Sequence, residues 1–278
     1  MQESNPFQRT PYYVLTGGLA IIFLFPIIWS AVSSVSPSPG SDQVVGYGLG
    51  NYATLANAPT GLPTWILNSA AISIMTVSFV LAVSMLGGYA FAKFAFPGKN
   101  LIFLATLAIL MVPYATLLIP LFILHNYLRD VPILGWNLVW LALVLGMFQL
   151  PFATYMMRIS FESVPRELEE AALVDGGGTF AAFRHVLMPL VRPGVVTVGL
   201  FAFLAAWNDF FAPLVLINSA AEQPLPLALV NLRQQTMGAI NFGSTEAGVV
   251  VMAVPCLFLF LLLQRYYVQG FMSGAIKG

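Results

Sequence analysis

Long windows without a single Asp, Glu, Lys or Arg constrain this chain more than any motif. They run from Thr10 to Ser41, Gln43 to Ala92, Asn100 to Leu128, Val131 to Met157 and Ala247 to Gln264. Pro193 to Ala221 contains only Asp209. A bilayer core about 30 Å thick needs roughly 20 apolar residues per helix, and most of these windows are long enough. Only 8% of the 278 residues are charged, and mean hydropathy is +0.85. A soluble domain carries about 25% charge, so a soluble globule of this composition would lack the polar residues to cover its surface. The chain is an integral membrane protein. The 11 basic and 11 acidic residues balance, which excludes a nucleic-acid binder. Cys256 is the single cysteine, so no disulfide framework or cysteine metal cluster exists.

The window Gln43–Ala92 is too long for one helix, and its first part is rich in Gly, Asn and Pro; Gln43–Thr64 reads as a loop. Six spans result, at about 12–35, 65–92, 101–125, 138–157, 193–218 and 246–266. Membrane β-strands would alternate apolar and polar residues; Leu101–Leu110 does not. The expected fold is an all-α membrane protein, a single transmembrane domain over 1–278. The apolar run Tyr12–Val35 exceeds a usual signal-peptide core, so it reads as an uncleaved first span. With both termini in the cytoplasm, the inner side holds nine Lys and Arg (Arg9, Lys93, Lys99, Arg158, Arg166, Arg184, Arg192, Arg265 and Lys277) against Arg129 and Arg233 outside. That bias sets the orientation. The outer loops are then Ser36–Thr64 and Ser219–Gly243, the second carrying Glu222 and Arg233.

Nine charges gather in one cytoplasmic loop, 158–192. Pro165 suits a first helical turn. Glu167, Glu169 and Glu170 sit near the positive end of the helix dipole. Leu168, Ala171 and Ala172 share one small apolar face. Asp175-Gly176-Gly177-Gly178 ends the helix, Thr179 caps a second short one, Phe180, Phe183 and Leu187 line its face, and Pro189 ends it. A helical hairpin that merely links two spans would look the same from these signals.

The residue order is more specific. Glu170-Ala171-Ala172, three residues, Gly176, nine residues and Val186-Leu187-Met188-Pro189 closely resemble the EAA loop of bacterial ATP-binding-cassette (ABC) importer permeases. Val186 and Met188 are conservative changes from that pattern. Gly177 stands where alanine is usual, which is expected to loosen the turn without removing it. Asn51-Tyr52, Asn68-Ser69, Phe96-Pro97-Gly98-Lys99, Trp207-Asn208-Asp209-Phe210 and the tail from Gln264 resemble the sugar-permease branch, in particular the smaller, six-span member of a maltose-type pair.

The resemblance implies a permease subunit in the bacterial cytoplasmic membrane, importing a sugar or related solute such as an oligosaccharide, polyol or glycerol phosphate. It implies a heterodimer with a second permease, a cytoplasmic ABC ATPase dimer and an extracytoplasmic solute-binding protein or lipoprotein. In that family the EAA helices dock in a groove of the ATPase and move with it. Carried over, Glu170 is the polar contact, Ala171 and Ala172 the packing surface, and Asp175 and Gly176 the turn. Phe183, Leu187 and Pro189 anchor the second helix. The chain lacks the phosphate-binding Gly-x-x-x-x-Gly-Lys-Ser/Thr pattern, so ATP and magnesium belong to the partner. No catalytic residue, cofactor or metal ligand is expected on this chain.

Asp209 is the one acid well inside a span, where charge is costly. Either Asn208 and Asp209 line a solute path, or with Pro213 they hold a break in the fifth span. Asn68, Gln149 and Trp140 are further path candidates, each equally explained by interhelical packing. Pro113, Pro120 and Pro255 are expected to kink helices. His125 and His185 receive no role, and Cys256 reads as packing. Tyr12, Tyr13, Trp65, Trp136, Tyr266 and Tyr267 read as interfacial anchors.

Competing classes are an ion-driven secondary transporter, an intramembrane enzyme and an ABC permease for a non-sugar solute. The first generally uses several intramembrane acids or inverted repeats. The second would show paired acids, a His-Glu-x-x-His motif or a nucleophile elbow. Neither signature is present.

Overall fold

The computed structural model describes residues 6–37, 47–235 and 242–275, with side chains at 11–37, 47–232 and 242–266. Arg9, Arg233 and Lys277, counted above for orientation, lie outside the described side chains, as do Tyr267 and parts of both outer loops.

The helices are α1 (Pro6–Ser34), α2 (Gly50–Ala56), α3 (Gly61–Lys93), α4 (Lys99–Ala108, continued by a 3-10 turn Ile109–Met111), α5 (Tyr114–Leu128), α6 (Asn137–Glu162), α7 (Arg166–Val174), α8 (Thr179–Ala182), α9 (Met188–Trp207), α10 (Phe211–Leu216), α11 (Leu225–Gln235) and α12 (Phe242–Ala275). Among the described residues five helical stretches are long and apolar enough to cross a bilayer, and a bent pair makes a sixth if counted as one span.

Two of the expected spans differ in form. The third is not one helix over 101–125: Lys99–Met111 and Tyr114–Leu128 meet at 98°. Val112 is extended, with ψ 120°, directly before Pro113; a residue before proline is driven out of the α region. Pro120, by contrast, lies inside α5. The fifth span does not run over 193–218. Its helix starts at Thr179 and stops at Trp207, and α10 resumes after Asn208-Asp209-Phe210.

The chain divides into two compact units. The first comprises 1–63 and 229–255. Here α1 presents its whole apolar surface, with none of its span window buried; Ile21, Ile22, Phe23 and Phe25 are all more than 60% exposed. Such a surface belongs in hydrocarbon, since soluble monomers rarely expose large contiguous apolar patches. The end of α1 is closed by Asn51, whose amide donates to the carbonyls of Ser34 and Ser36, each at 2.9 Å, while Tyr52 Oη meets Ser34 Oγ at 3.0 Å. Asn51 thus serves the Ser34 carbonyl, which a helix end leaves without an intrahelical donor, and Tyr52 holds the Ser34 hydroxyl.

The second unit, 64–228 and 256–278, is built on α3, α6 and α9. One buried cluster gathers Ile72, Leu118, Trp140, Leu141, Val144 and Leu216. Another gathers Val80, Tyr89, Met157, Phe161, Leu187 and Val191. α3 and α6 approach so closely that a Cβ on Gly88 would lie 2.5 Å from Met157 Cβ and 2.9 Å from the Arg158 nitrogen. Small residues allow this approach where the hydrophobic effect does not drive helices together. Trp65 is 4% exposed and sits in the protein interior rather than at a lipid interface.

Candidate functional site

The charged loop folds as a short helix clamped at one side and open on the other. α7 begins after Pro165, whose φ of −54° suits a helix entry. Its acidic residues divide by function. Glu169 turns inward: Tyr89 Oη donates to Glu169 Oε1 at 2.7 Å, and Lys93 Nζ lies 3.8 Å from Glu169 Oε2. Lys93 Nζ also donates to the Val164 carbonyl at 2.9 Å. Tyr89 and Lys93 are i, i+4 neighbours at the end of α3, so one face of that helix holds both ends of the clamp. The hydrogen bond is the stronger element, because the ion pair is long and charge-assisted bonds are worth about 1.5–3 kcal/mol.

Glu170 points away. It is exposed, as are Ala171, Leu168 and Leu173, and Val174 reaches 86% exposure. Ala172 is half-buried. An acidic and small-apolar surface is therefore presented at the end of a rigidly held helix.

The turn after α7 is a complete Schellman motif. Gly177 N donates to the Ala172 carbonyl at 3.0 Å and Gly176 N to that of Leu173 at 3.1 Å. These are the paired bonds of this cap. Gly176 has φ +84°, and a Cβ on Gly177 would stand 2.7 Å from the Ala172 oxygen. Glycine at 177 does not loosen the turn, as the sequence pattern suggested; it permits the closed form. Asp175 is exposed beside it.

Three local expectations for the second helix change. Thr179 is the first residue of α8 and Gly178 the cap, with no side-chain capping bond. Pro189 does not end a helix. Residues Phe183–Leu187 form a π-turn that leads without a break into α9, and Pro189 occupies its first turn. Inside this continuous helix a proline leaves a carbonyl of the preceding turn without its N–H partner, and the wider π-turn before it takes up the register change. The π-turn also splits the expected face: Phe180 is 74% exposed while Leu187 is fully buried. Phe183 packs edge-on against Tyr89 at 5.2 Å and lies against Phe161 at 5.9 Å. One aromatic group, Tyr89, thereby touches both arms of the loop.

The second polar constellation joins the two broken spans. Tyr114 Oη, just past the Val112–Pro113 bend, donates to Asp209 Oδ2 at 2.7 Å. Asp209 Oδ1 accepts the Ala212 N–H at 2.9 Å, serving an orphan donor in the first turn of α10. Asn208 is exposed and its amide donates back to the Leu204 carbonyl at 2.8 Å; Cys256 Sγ lies 3.9 Å away. Pro213 is buried within α10.

The remaining path candidates lie elsewhere. Asn68 donates to the carbonyls of Ala221 and Gln223 at 2.8 and 3.1 Å, and the neighbouring Ser69 Oγ accepts the Leu225 N–H at 2.8 Å. Trp140 is buried and stacked on His125, with centroids 5.4 Å apart and planes 15° apart. His125 Nε2 meets Asn137 Oδ1 at 2.9 Å, and the Asn137 amide turns to Glu222. Gln149 is half-buried on α6. Asn68 and the His125–Asn137–Glu222 chain therefore fasten the 221–225 segment. Among the described residues no cluster of His, Cys, Asp or Glu has metal-site geometry.

Sequence reasoning missed Tyr89, Lys93, Glu169, Tyr114, Ser69 and His125 as site-building residues. Tyr89 and Lys93 at i, i+4 beside an acid-rich loop was a readable signal. Tyr114 carried none, since its partner lies 95 residues away.

Known proteins match this architecture. Residues 84–272 match the family described as binding-protein-dependent transport system inner membrane component. The diacetylchitobiose uptake system permease protein DasC of Streptomyces coelicolor is 32% identical, covering 94% of each chain. The trehalose transport system permease protein SugB of Mycobacterium tuberculosis is also 32% identical, over 98% of this chain and 99% of that one. The trehalose/maltose transport system permease protein MalG of Thermococcus litoralis is 30% identical, over 94% of both. Among solved structures, a bacterial ABC transporter that imports the acidic polysaccharide alginate superposes with a TM-score of 0.76 at 21% identity, covering 96% of this chain and 99% of that one.

Proposed function

Because the chain belongs to the family of binding-protein-dependent transport inner membrane components, we propose that it is the six-span permease of an ATP-driven importer for an oligosaccharide or related sugar. Relatives named for diacetylchitobiose, trehalose and maltose support the solute class. Its partners on this reading are a second permease, a cytoplasmic ABC ATPase dimer and an external solute-binding protein. Both termini lie in the cytoplasm, as the bias of Lys and Arg supports.

The observation that carries the reading is the division of labour between two neighbouring acids. Glu169 is held by Tyr89 and Lys93, while Glu170, Ala171 and Val174 face outward on the same helix. A helix that is fastened to the spans on one face and bare on the other can transmit a displacement from a docked subunit. ATP binding on the partner closes the ATPase pair and moves α7. Phe183 and Leu187 pass the motion to α9, because they lie in the same buried cluster as Val191 and Val198. α9 ends at the Asn208–Phe210 break, where Asp209 joins it to the bent third span. The ATP and magnesium chemistry belongs to the partner.

On the solute path, Asn208 and Gln149 are the better candidates. Both carboxylate oxygens of Asp209 are held by protein groups, the Asn68 amide nitrogen is spent on two carbonyls and Trp140 is buried against His125, whereas Asn208 is exposed.

The test is crosslinking in the assembled transporter, in a Cys256→Ser background. A cysteine at Val174 or Ala171 is expected to crosslink to the ATPase subunit, and one at Met157, which is fully buried, is not. Failure of both exposed positions to crosslink contradicts the docking assignment.

A further inference from the structure

A second feature of the 64–228 and 256–278 unit involves no residue of α7. A groove of about 370 Å³ runs between α3, α9 and α12, walled by Val77, Val195, Gly199, Phe203, Leu259 and Leu263. Its lining is aliphatic and aromatic apart from two serines. Ile74, Phe258, Phe260 and Leu262 beside it are exposed, so the groove opens to the hydrocarbon.

One end of this groove is basic. Arg192 precedes Val195 and Val196 by one helical turn on α9, and Arg265 follows Leu263 on α12, which runs in the opposite direction. The two arginines meet on one ring: Arg192 Cζ is 5.2 Å and Arg265 Cζ 4.9 Å from the Tyr266 centroid. Arg265 also donates to Tyr266 Oη at 3.2 Å. Both are exposed. Among the described residues neither takes part in an ion pair. Each guanidinium carries five N–H donors, of which the Tyr266 hydroxyl takes one from Arg265, so donors remain on both for an anion.

We propose that this groove binds one anionic phospholipid, with an acyl chain along Val195, Gly199 and Leu263 and the headgroup phosphate held by Arg192 and Arg265. Charge complementarity selects the occupant. Two carboxylate-free guanidinium groups at the mouth of an apolar furrow match a phosphate attached to a chain. Planar, multiply donating guanidinium groups suit phosphate oxygens. A zwitterionic lipid fills the furrow equally but offers no net charge, and free phosphate offers no chain. The site places the headgroup at the end of α9 that leads from the coupling loop, in the leaflet where anionic lipids attract basic residues. The inference rests on the membrane placement and not on the solute.

Native mass spectrometry of the assembled transporter in neutral detergent tests it, with phosphatidylglycerol and phosphatidylcholine added at equal concentration. Retained phosphatidylglycerol is expected to exceed phosphatidylcholine by on the order of tenfold or more. The preference disappears in the Arg192→Gln/Arg265→Gln variant and survives in Arg192→Lys/Arg265→Lys. Gly199→Phe, which fills the furrow and leaves the arginines intact, is expected to expel both lipids. Equal retention of the two lipids by the unaltered protein overturns the proposal, as does unchanged phosphatidylglycerol in the Gln variant. So does displacement of the lipid by inorganic phosphate alone, or a disulfide from a cysteine at Leu259 to a partner helix.

Discussion

Tyr89 Oη donates to Glu169 Oε1 at 2.7 Å across 80 residues of sequence. That bond ties the helix of the charged loop to the end of α3 and makes α7 part of the helical body. A hydrogen bond to a charged group is worth about 1.5–3 kcal/mol. Tyr89→Phe and Glu169→Gln are each expected to lower ATP-driven uptake by roughly tenfold while protein levels in the membrane hold. The double variant is expected to lose little more than either single one, since each weakens the same Tyr89–Glu169 contact. Additive losses in vesicle uptake assays would show that the two residues act separately.

Among the described residues Glu170 has no such partner, and it is exposed. Glu170→Lys is expected to abolish uptake and co-purification of the ATPase subunit, yet leave the melting temperature of the permease within about 1 °C, as exposed substitutions usually change stability by less than about 0.5 kcal/mol. A large drop in melting temperature would place Glu170 in the fold instead.

The Schellman turn sets the angle between α7 and α8. Gly176→Pro or a bulky residue at Ala172 is expected to uncouple transport without removing the protein from the membrane. Gly177→Ala forces a Cβ toward the Ala172 carbonyl and is expected to reduce uptake several-fold, at a cost on the order of 1–3 kcal/mol for the displaced backbone. ATPase assays of the assembled complex separate the effects: binding-protein-stimulated hydrolysis falls, basal hydrolysis does not. Normal uptake in all three variants sinks the turn's role.

Tyr114 and Asp209 bridge the bend in the third span and the break in the fifth. Tyr114→Phe and Asp209→Asn are therefore expected to lower maximal uptake several-fold with little change in the solute concentration giving half-maximal rate. A raised half-saturation with an unchanged maximum would instead make Asp209 a solute ligand.

The membrane class and the helix–glycine turn–helix form of residues 166–187 were legible because both rest on local signals. Charge-free windows mark spans by composition, and Glu170 to Gly176 is a short, fixed spacing. The forms of the third and fifth spans were less so. Pro113 announced a bend but not its 98°, because the angle depends on how α5 packs against α6 and α10. Pro189 misled, since a proline in a first turn and a proline that stops a helix look alike without the π-turn at Phe183–Leu187. Glu169 and Glu170 are adjacent and chemically alike; only the distant Tyr89 and Lys93 distinguish them. His125, isolated in sequence, gains its place through Trp140 and Asn137 across a turn between helices.

ATP is expected to drive solute movement by acting through the Glu170 face of α7. This is tested most directly in vesicles containing the permease pair, the ATPase and the solute-binding protein, loaded with ATP and given a labelled oligosaccharide. Uptake is predicted to require internal ATP, to persist when ionophores collapse ion gradients, and to vanish with Glu170→Lys. Uptake that follows an imposed ion gradient without ATP, or that is unchanged by Glu170→Lys, would contradict it.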